Sequence, residues 1–309
     1  MRISVLGVGS IGSVVAASLA STNVELHLHV RGERGALSML QGLTVDGERS
    51  MDVSASRFLF SCEELPVEKE LLASSDAVLL ACKSYAVEHL AQVASTFLKP
   101  NGVVLALSNG LGHTETLVQI HGPQNVVAAS TTHGAYTHES GVVVWAGLGG
   151  IGLAAPPLGP SRAQLESLVD VLSDAGLNPT VHEDASALVW EKVLLNLAIN
   201  PIAALAGLKN GELLEGTLFD TCMMVYREAA QVAAMERVSV PEESEFEAQL
   251  RRVLTLTRDN TCSMLQDIKA GRRTEIGALN QALVQRAEAF GLSVPVNQML
   301  ASLVQVCHP

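Results

Sequence analysis

Gly7, Gly9 and Gly12, in the run Gly7-Val8-Gly9-Ser10-Ile11-Gly12, have the spacing of a pyrophosphate cradle. The first glycine allows a tight turn and the second lets a phosphate approach the backbone. The third lets helix and strand pack closely, with the phosphates at the helix N-terminus. The spacing alone is weak evidence; its setting makes it strong. An apolar run at residues 3–6 precedes it, and a helical pattern covers residues 13–21. Val24, Leu26, Leu28 and Val30 then alternate with Glu25, His27 and His29, the period of a strand. An acid at the end of that second strand would take the ribose 2′-OH of NAD. Arg31 stands there instead, and a guanidinium suits a 2′-phosphate. NADPH/NADP+ is therefore the expected cofactor; Arg34 supports the choice and Glu33 counts against it.

A second constellation lies in residues 190–201, WEKVLLNLAINP. Lys192, Asn196 and Asn200 are four residues apart. Each step of four advances about 40° around a helix, so the three share one face. The rest of the stretch is apolar and reads as core. Buried polar groups need partners, so these side chains either form a site or are a lysine snorkelling to water with two capping amides. Both readings stay open on this stretch alone. Lys83 and Asn109 each follow an apolar strand-like run (residues 76–82 and 103–107), and ligands of open α/β sheets bind outside the carboxyl ends of strands.

The elements that must position these residues fall into two sections. Residues 1–182 alternate strand and helix signals, with residues 36–60 read as a small β-rich connection. Later strand signals fall at residues 126–130, 142–145, 150–153 and 178–182, and an amphipathic helix at 162–175. From Asp184 onward the pattern is helical, with Pro201 expected to end or kink the first helix. The fold class is α/β: an N-terminal Rossmann-type dinucleotide-binding domain over 1–182 and an all-α domain over 183–309. A length of 309 residues makes two domains the default.

Apolar residues are 48% of the chain and charged ones only 17%, enough for a large core. A net charge of −12 argues against a general affinity for nucleic acid or anionic lipid. No charge-free apolar run approaches the roughly 18 residues of a membrane span, and the N-terminus does not read as a signal peptide. A cytoplasmic enzyme is expected. The five cysteines are scattered without a CxxC pair, so reduced thiols are expected, and the nine histidines show no metal-ligand spacing.

With these residues in view, the chain resembles ketopantoate reductases (2-dehydropantoate 2-reductases) over nearly its full length. The matching runs are VLGVGSIGS at 5–13, Arg31, CKSYAV at 82–87, SNGLG at 108–112 and TTHGA at 131–135. They continue with WEKVLLNLAINP at 190–201, KNGEL at 209–213 and SMLQDIKAGRRTEI at 263–276. The resemblance implies NADPH-dependent reduction of 2-dehydropantoate to (R)-pantoate, a step of pantothenate and coenzyme A biosynthesis. It implies Lys192 as general acid and Glu275 as its partner and a holder of the substrate hydroxyl. Lys83 and Asn109 would line the catalytic cleft, serving substrate and cofactor alike. Asn196, Asn200, Asn210 and Ser263 would bind the substrate, and Asp267 would be structural. Gly7, Gly9, Ser10, Ile11, Gly12 and Arg31 would hold the cofactor, with no metal.

The chemistry suits these residue types independently. Hydride addition to a 2-keto acid puts negative charge on the keto oxygen, which a nearby ammonium stabilises and protonates. Amide and hydroxyl donors hold the carboxylate without adding charge. The family usually has an Asp two residues after the Glu and a Gly after the following Asn. This chain has Gly277 and Gln281 there, with Asn280 kept. A paralogue reducing another branched 2-keto acid is the alternative. A non-catalytic NADPH sensor fits less well, because a sensor needs no proton donor. The sequence leaves the oligomeric state open, a homodimer included.

Overall fold

The computed structural model describes residues 1–138 and 141–307; residues 308 and 309 of the expected helical domain lie outside them. The chain forms two compact units. The first comprises Met1–Ser108 and His113–Leu188, and the second comprises Asn109–Gly112 and everything from Val189 onward.

The first unit contains β1 (Arg2–Leu6), α1 (Ser10–Ala20), β2 (Glu25–Val30), α2 (Gly32–Gln41), β3 (Leu43–Gly47), β4 (Met51–Val53) and β5 (Phe58–Cys62). It continues with β6 (Ser75–Leu80), α3 (Val87–Phe97), β7 (Leu98–Ala106), α4 (His113–His121) and β8 (Ala128–Thr131). β9 (Gly134–Thr137), β10 (Val143–Gly147), β11 (Ile151–Ala154), α5 (Arg162–Asp174) and β12 (Pro179–Val181) complete it. The main sheet has the order β5-β2-β1-β6-β7 with every pairing parallel. Strand order reverses between β1 and β6, the switch point at which such sheets open a crevice for ligands. Two smaller sheets, β4-β3-β10-β9 and β12-β11-β8, use the remaining strands. This is the expected Rossmann-type fold.

One reading of the connection after β2 is corrected. Residues 36–41, taken as the start of a β-rich connection, end the helix α2. Its apolar residues do recur with a helical period, but Leu37 and Leu40 stay exposed while only Met39 is buried, and Gly32 and Gly35 lower its helix propensity.

The strand alternation of β2 also hides its environment. A strand in the middle of a parallel sheet is buried on both faces, and His27 and His29 are 0% and 3% exposed. Serines of β1 and β5 meet three of their four ring nitrogens, and His29 Nε2 is buried without a hydrogen-bond partner among the described residues. His27 Nδ1 lies 2.7 Å from the Ser4 hydroxyl and Nε2 lies 2.9 Å from that of Ser61. Ser4 also meets Ser75 at 2.6 Å, and His29 Nδ1 meets Ser61 at 2.8 Å. The Phe97 ring packs against both imidazoles.

The second unit is helical: α6 (Ala185–Ala206, entered from the first unit), α7 (Gly216–Met235), α8 (Glu243–Leu256), α9 (Ser263–Lys269), α10 (Asn280–Ala289) and α11 (Pro295–Cys307). The Asp184 carboxylate caps α6 by accepting the amides of Ser186 and Ala187 at 2.8 and 3.0 Å. By length and hydropathy α6 is apolar enough to cross a membrane, but two thirds of that stretch is buried inside the protein. Its apolar face joins α7, α8, α10 and α11 in one core. Met223 belongs to that core, whereas Met224, also expected there, is exposed.

Of the end or kink expected at Pro201, the end is absent: α6 runs on through it. A proline cannot donate to the carbonyl four residues back, here that of Leu197, a loss worth about 3 kcal/mol or more inside a helix. Asn280 Nδ2 donates to the Leu197 carbonyl at 3.3 Å, so the orphaned acceptor is met from α10.

The buried histidines make stability depend on pH. Burial, reinforced by His29 and then Arg2, lowers the His27 pKa to about 3, and burial also lowers that of His29. The unfolded chain takes up these protons near pH 6.5 while the folded chain refuses them. Stability is therefore full above about pH 6.5 and falls with acidification toward pH 3, by up to about 1.4 kcal/mol per pH unit for each such histidine. Urea unfolding between pH 7.5 and 5 should show this slope, and His27→Gln should lessen it. A wild-type stability that ignores pH over that range contradicts the assignment.

Candidate active site

The loop after β1 shows three glycines with three different reasons. Gly7 has φ +89°, and a Cβ there would lie 3.0 Å from Cys82 Cβ and 3.1 Å from the Ala81 carbonyl oxygen. A Cβ on Gly12 would lie 2.1 Å from the Gly7 carbonyl oxygen. The fold itself thus requires both. Gly9 has an ordinary φ of −83°, and a Cβ there would meet nothing within 4 Å. Neither strain nor packing demands glycine at this position, so its bareness suits a group approaching from outside the protein. Gly9 is the N-cap of α1 without a side-chain cap, and the first turn carries no acid, so an anion there would meet free amides and the positive end of the helix. These are the donors a dinucleotide pyrophosphate needs.

Around this loop, Ser10 and Ile11 occupy the first turn of α1, with the Ser10 hydroxyl 2.9 Å from that of Thr137. Arg31 ends β2 in extended conformation, exposed, as N-cap of α2. Lys83 is half-buried beyond the end of β6 and precedes a 3-10 turn. Every expected cofactor residue except Asn109 therefore lies at the carboxyl end of β1, β2 or β6.

Asn109 is held elsewhere. It follows β7, but residues Asn109–Gly112 belong to the helical unit. The Leu111 amide donates to the Ala278 carbonyl at 2.8 Å. Gly110 has φ +119°, and a Cβ there would lie 2.6 Å from both Cβ and carbonyl oxygen of Ala278. The two backbones touch, and only glycine permits it. The same docking brings Asn109 Nδ2 to Glu275 Oε2 at 3.2 Å. Glu275 is 7% exposed and heads the 3-10 turn Ile276–Ala278, whose Ala278 amide donates back to the Glu275 carbonyl at 3.0 Å.

Glu275 acts electrostatically on Lys192 of α6. Lys192 as a residue is half-buried, and its ammonium end is the desolvated part. Burial lowers its pKa to about 8, while the Glu275 charge works in the opposite direction. One turn along, Asn196 Nδ2 is buried with no hydrogen-bond partner among the described residues. An unpaired buried donor costs about 1–3 kcal/mol, which a bound acceptor would recover. Asn200 is buried on the same helix, and its carbonyl faces the Cys262 thiol at 3.6 Å.

The two remaining expected substrate residues have different surroundings. Asn210 is buried and donates to the Thr257 hydroxyl at 2.9 Å, leaving its Oδ1 buried without a partner among the described residues. Ser263 is exposed at the first residue of α9. Asp267 is buried and accepts from Arg272 Nε at 3.0 Å, closing the loop that leads to Glu275. His133 has a structural place: its Nδ1 accepts the Gly149 amide at 3.0 Å and its Nε2 lies 3.1 Å from the Leu177 carbonyl. Sequence reasoning missed Ala278 and Gly110 as the pair that seats Asn109 beside Glu275. Gly110 was visible as half of an Asn-Gly turn, and its partner was not.

Comparison with known proteins identifies the family. The family described as ketopantoate reductase PanE/ApbA matches residues 3–157, and its C-terminal counterpart matches residues 184–308. A 2-dehydropantoate 2-reductase from Halobacterium salinarum is 33% identical over 100% of this chain and 99% of its own length. One from Archaeoglobus fulgidus is 30% identical over 98% and 97%. A solved PanE/ApbA family ketopantoate reductase from Ralstonia eutropha JMP134 superposes with a TM-score of 0.86 at 25% identity, covering 100% of this chain and 98% of the other. A solved D-mandelate dehydrogenase with NADH shares the fold, with a TM-score of 0.90 at 24% identity over 100% and 98%. The chain belongs to the ketopantoate reductase family.

Proposed function

We propose that the protein reduces 2-dehydropantoate to (R)-pantoate with NADPH. The observation that carries the reading is the desolvated Lys192 ammonium within the electrostatic reach of Glu275, with a buried amide on the same helix, Asn196 Nδ2, that has no partner among the described residues. NADPH supplies the hydride. The Gly7–Gly12 loop would hold its pyrophosphate at the N-terminus of α1, and Arg31 its 2′-phosphate. Lys192 stabilises the charge that develops on the keto oxygen and gives it a proton from Nζ. Glu275 keeps Lys192 protonated and takes the substrate hydroxyl, with Asn109 fixing its carboxylate. Asn196, Asn200, Asn210 and Ser263 anchor the substrate, and Lys83 assists at the cofactor side.

A second reading, another branched 2-keto acid, rests on Gly277. This residue is exposed on the turn that bears Glu275, and a Cβ there would meet nothing within 4 Å. The turn thus lacks the acidic side chain expected two residues after the glutamate.

NADPH oxidation with 2-dehydropantoate and a panel of other 2-keto acids decides between the two. The highest kcat/KM is expected with 2-dehydropantoate; a higher value for another keto acid transfers the assignment to it, and no turnover with any of them removes both. In the preferred substrate, Lys192→Ala should lower kcat by a factor of roughly 10² to 10⁴. Because Lys192 must be protonated to act, kcat/KM should fall on the alkaline side with an apparent pKa near 8. Glu275→Gln removes the charge that raises that pKa, so the alkaline limb should move to lower pH. A limb that stays in place means another group sets it.

The glycines separate binding from folding. Gly9→Ala should leave the unfolding midpoint within error and weaken NADPH binding, read by quenching or transfer of protein fluorescence. Gly12→Ala should lower the unfolding midpoint. Unchanged NADPH affinity in Gly9→Ala argues against a phosphate at that backbone.

A further inference from the structure

The carboxyl end of β2 carries an acid as well as Arg31, supplied by the neighbouring strand. β5 runs parallel to β2 with Cys62 opposite Val30, and the Glu63 amide donates to the Val30 carbonyl at 3.0 Å. This register carries Glu64 to the start of α2. Its Oε2 accepts the Gly32 amide at 2.9 Å and the Cys62 thiol at 2.9 Å. The thiol, then the Gly32 amide and, at longer range, Arg31 hold the Glu64 carboxyl below the usual carboxylate range, so it is an anion at neutral pH. An anion thus already sits on the first free amide of α2, next to the arginine expected to read a 2′-phosphate. No side chain of Arg31 caps that helix end.

We propose that Glu64 is a specificity-determining residue of the cofactor site: its carboxylate occupies the Gly32 amide beside Arg31, where a 2′-phosphate would bind, and so opposes the phosphorylated dinucleotide. The proposal rests on the dinucleotide reading of the β1–α1 loop. Physically, a carboxylate and a phosphate cannot share one N–H and one guanidinium without repulsion. Cys62 contributes by fixing the carboxylate: the thiol is buried and lies within reach of both Glu64 and, at 3.7 Å, the Gly32 carbonyl. Arg31 alone predicts strong preference for NADPH. Arg31 with Glu64 predicts a weaker preference, in which NADH remains a usable donor.

The test uses nucleotide fragments, so that it does not depend on turnover. Binding of 2′,5′-ADP and of 5′-ADP is measured by calorimetry for the wild type, Glu64→Gln and Glu64→Ala. Gln keeps an acceptor for the Gly32 amide and removes the charge; Ala frees the amide. Both variants should bind 2′,5′-ADP roughly 3- to 10-fold tighter at low salt, with 5′-ADP within two-fold of wild type. The gain should shrink at high salt, as expected for exposed charges. Unchanged or weaker 2′,5′-ADP binding overturns the proposal. So does an equal change in both nucleotides, or a selective loss of 5′-ADP, which would make Glu64 a ribose ligand. Wild type that binds neither fragment defeats the dinucleotide reading beneath it. Glu64 is exposed, so the unfolding midpoints of the variants should match wild type and separate these outcomes from misfolding.

Discussion

A buried ammonium beside a buried carboxylate is the constraint that the helical unit is arranged to meet. Taking the Lys192 charge out of water favours its neutral form, and Glu275 restores part of the difference. The balance leaves the lysine with a pKa near 8, close to the range in which one group can both donate a proton and recover it. The balance depends on position, because a carboxylate free to rotate toward water would lose its hold on the lysine. Asn109 prevents this by donating to one oxygen, and the turn after Glu275 fixes its backbone. That hydrogen bond exists because the Asn109–Gly112 backbone lies directly on Ala278.

The other partner is fixed by α6, and α6 has to survive its own proline. Without relief, the Leu197 carbonyl would be buried and unpaired one turn from Asn200. Asn280 supplies the missing donor and is held by Asn297 Oδ1 at 2.9 Å, while Asn297 Nδ2 donates to Glu228 at 2.8 Å. A line of buried polar groups from α10 through α11 to α7 thus supports the helix that carries Lys192. Asn280 Nδ2 makes both of these donations while its Oδ1 is buried without a partner among the described residues, and the donations explain why Asn280 is kept although its neighbour departs from the family pattern.

How much of this was legible follows from which signals are local. The glycine loop was readable because each of its constraints acts within ten residues of chain or on the adjacent strand end. The polar face of α6 was readable as geometry, and its partners were not: Glu275 is more than eighty residues away in the chain and joined it only through the family resemblance. The excursion of residues 109–112 was invisible because it is made by main-chain atoms; a Leu111 amide and an Ala278 carbonyl leave no side-chain signature. The helix after β2 was missed although its apolar residues are periodic, since Gly32 and Gly35 weaken its propensity and it buries only Met39. His27 and His29 looked like alternating polar residues, and serines on two other strands let them be core.

The neutral anchors of the proposed site fit the same charge balance. The chain carries a net charge of −12, so an anionic substrate approaches against the overall field, and further arginines or lysines at the site would seem the simple remedy. A second cation near Lys192 would lower its pKa further, adding to desolvation instead of opposing it. The neutral fraction of Lys192 at pH 7 would then grow. Amides avoid this: an Asn Nδ2 such as that of Asn196 offers a carboxylate a strong donor in a desolvated setting while leaving the Lys192–Glu275 balance in place. In the proposed mechanism, asparagines on the lysine's own helix would anchor the substrate while leaving Lys192 to serve as both charge stabiliser and proton source.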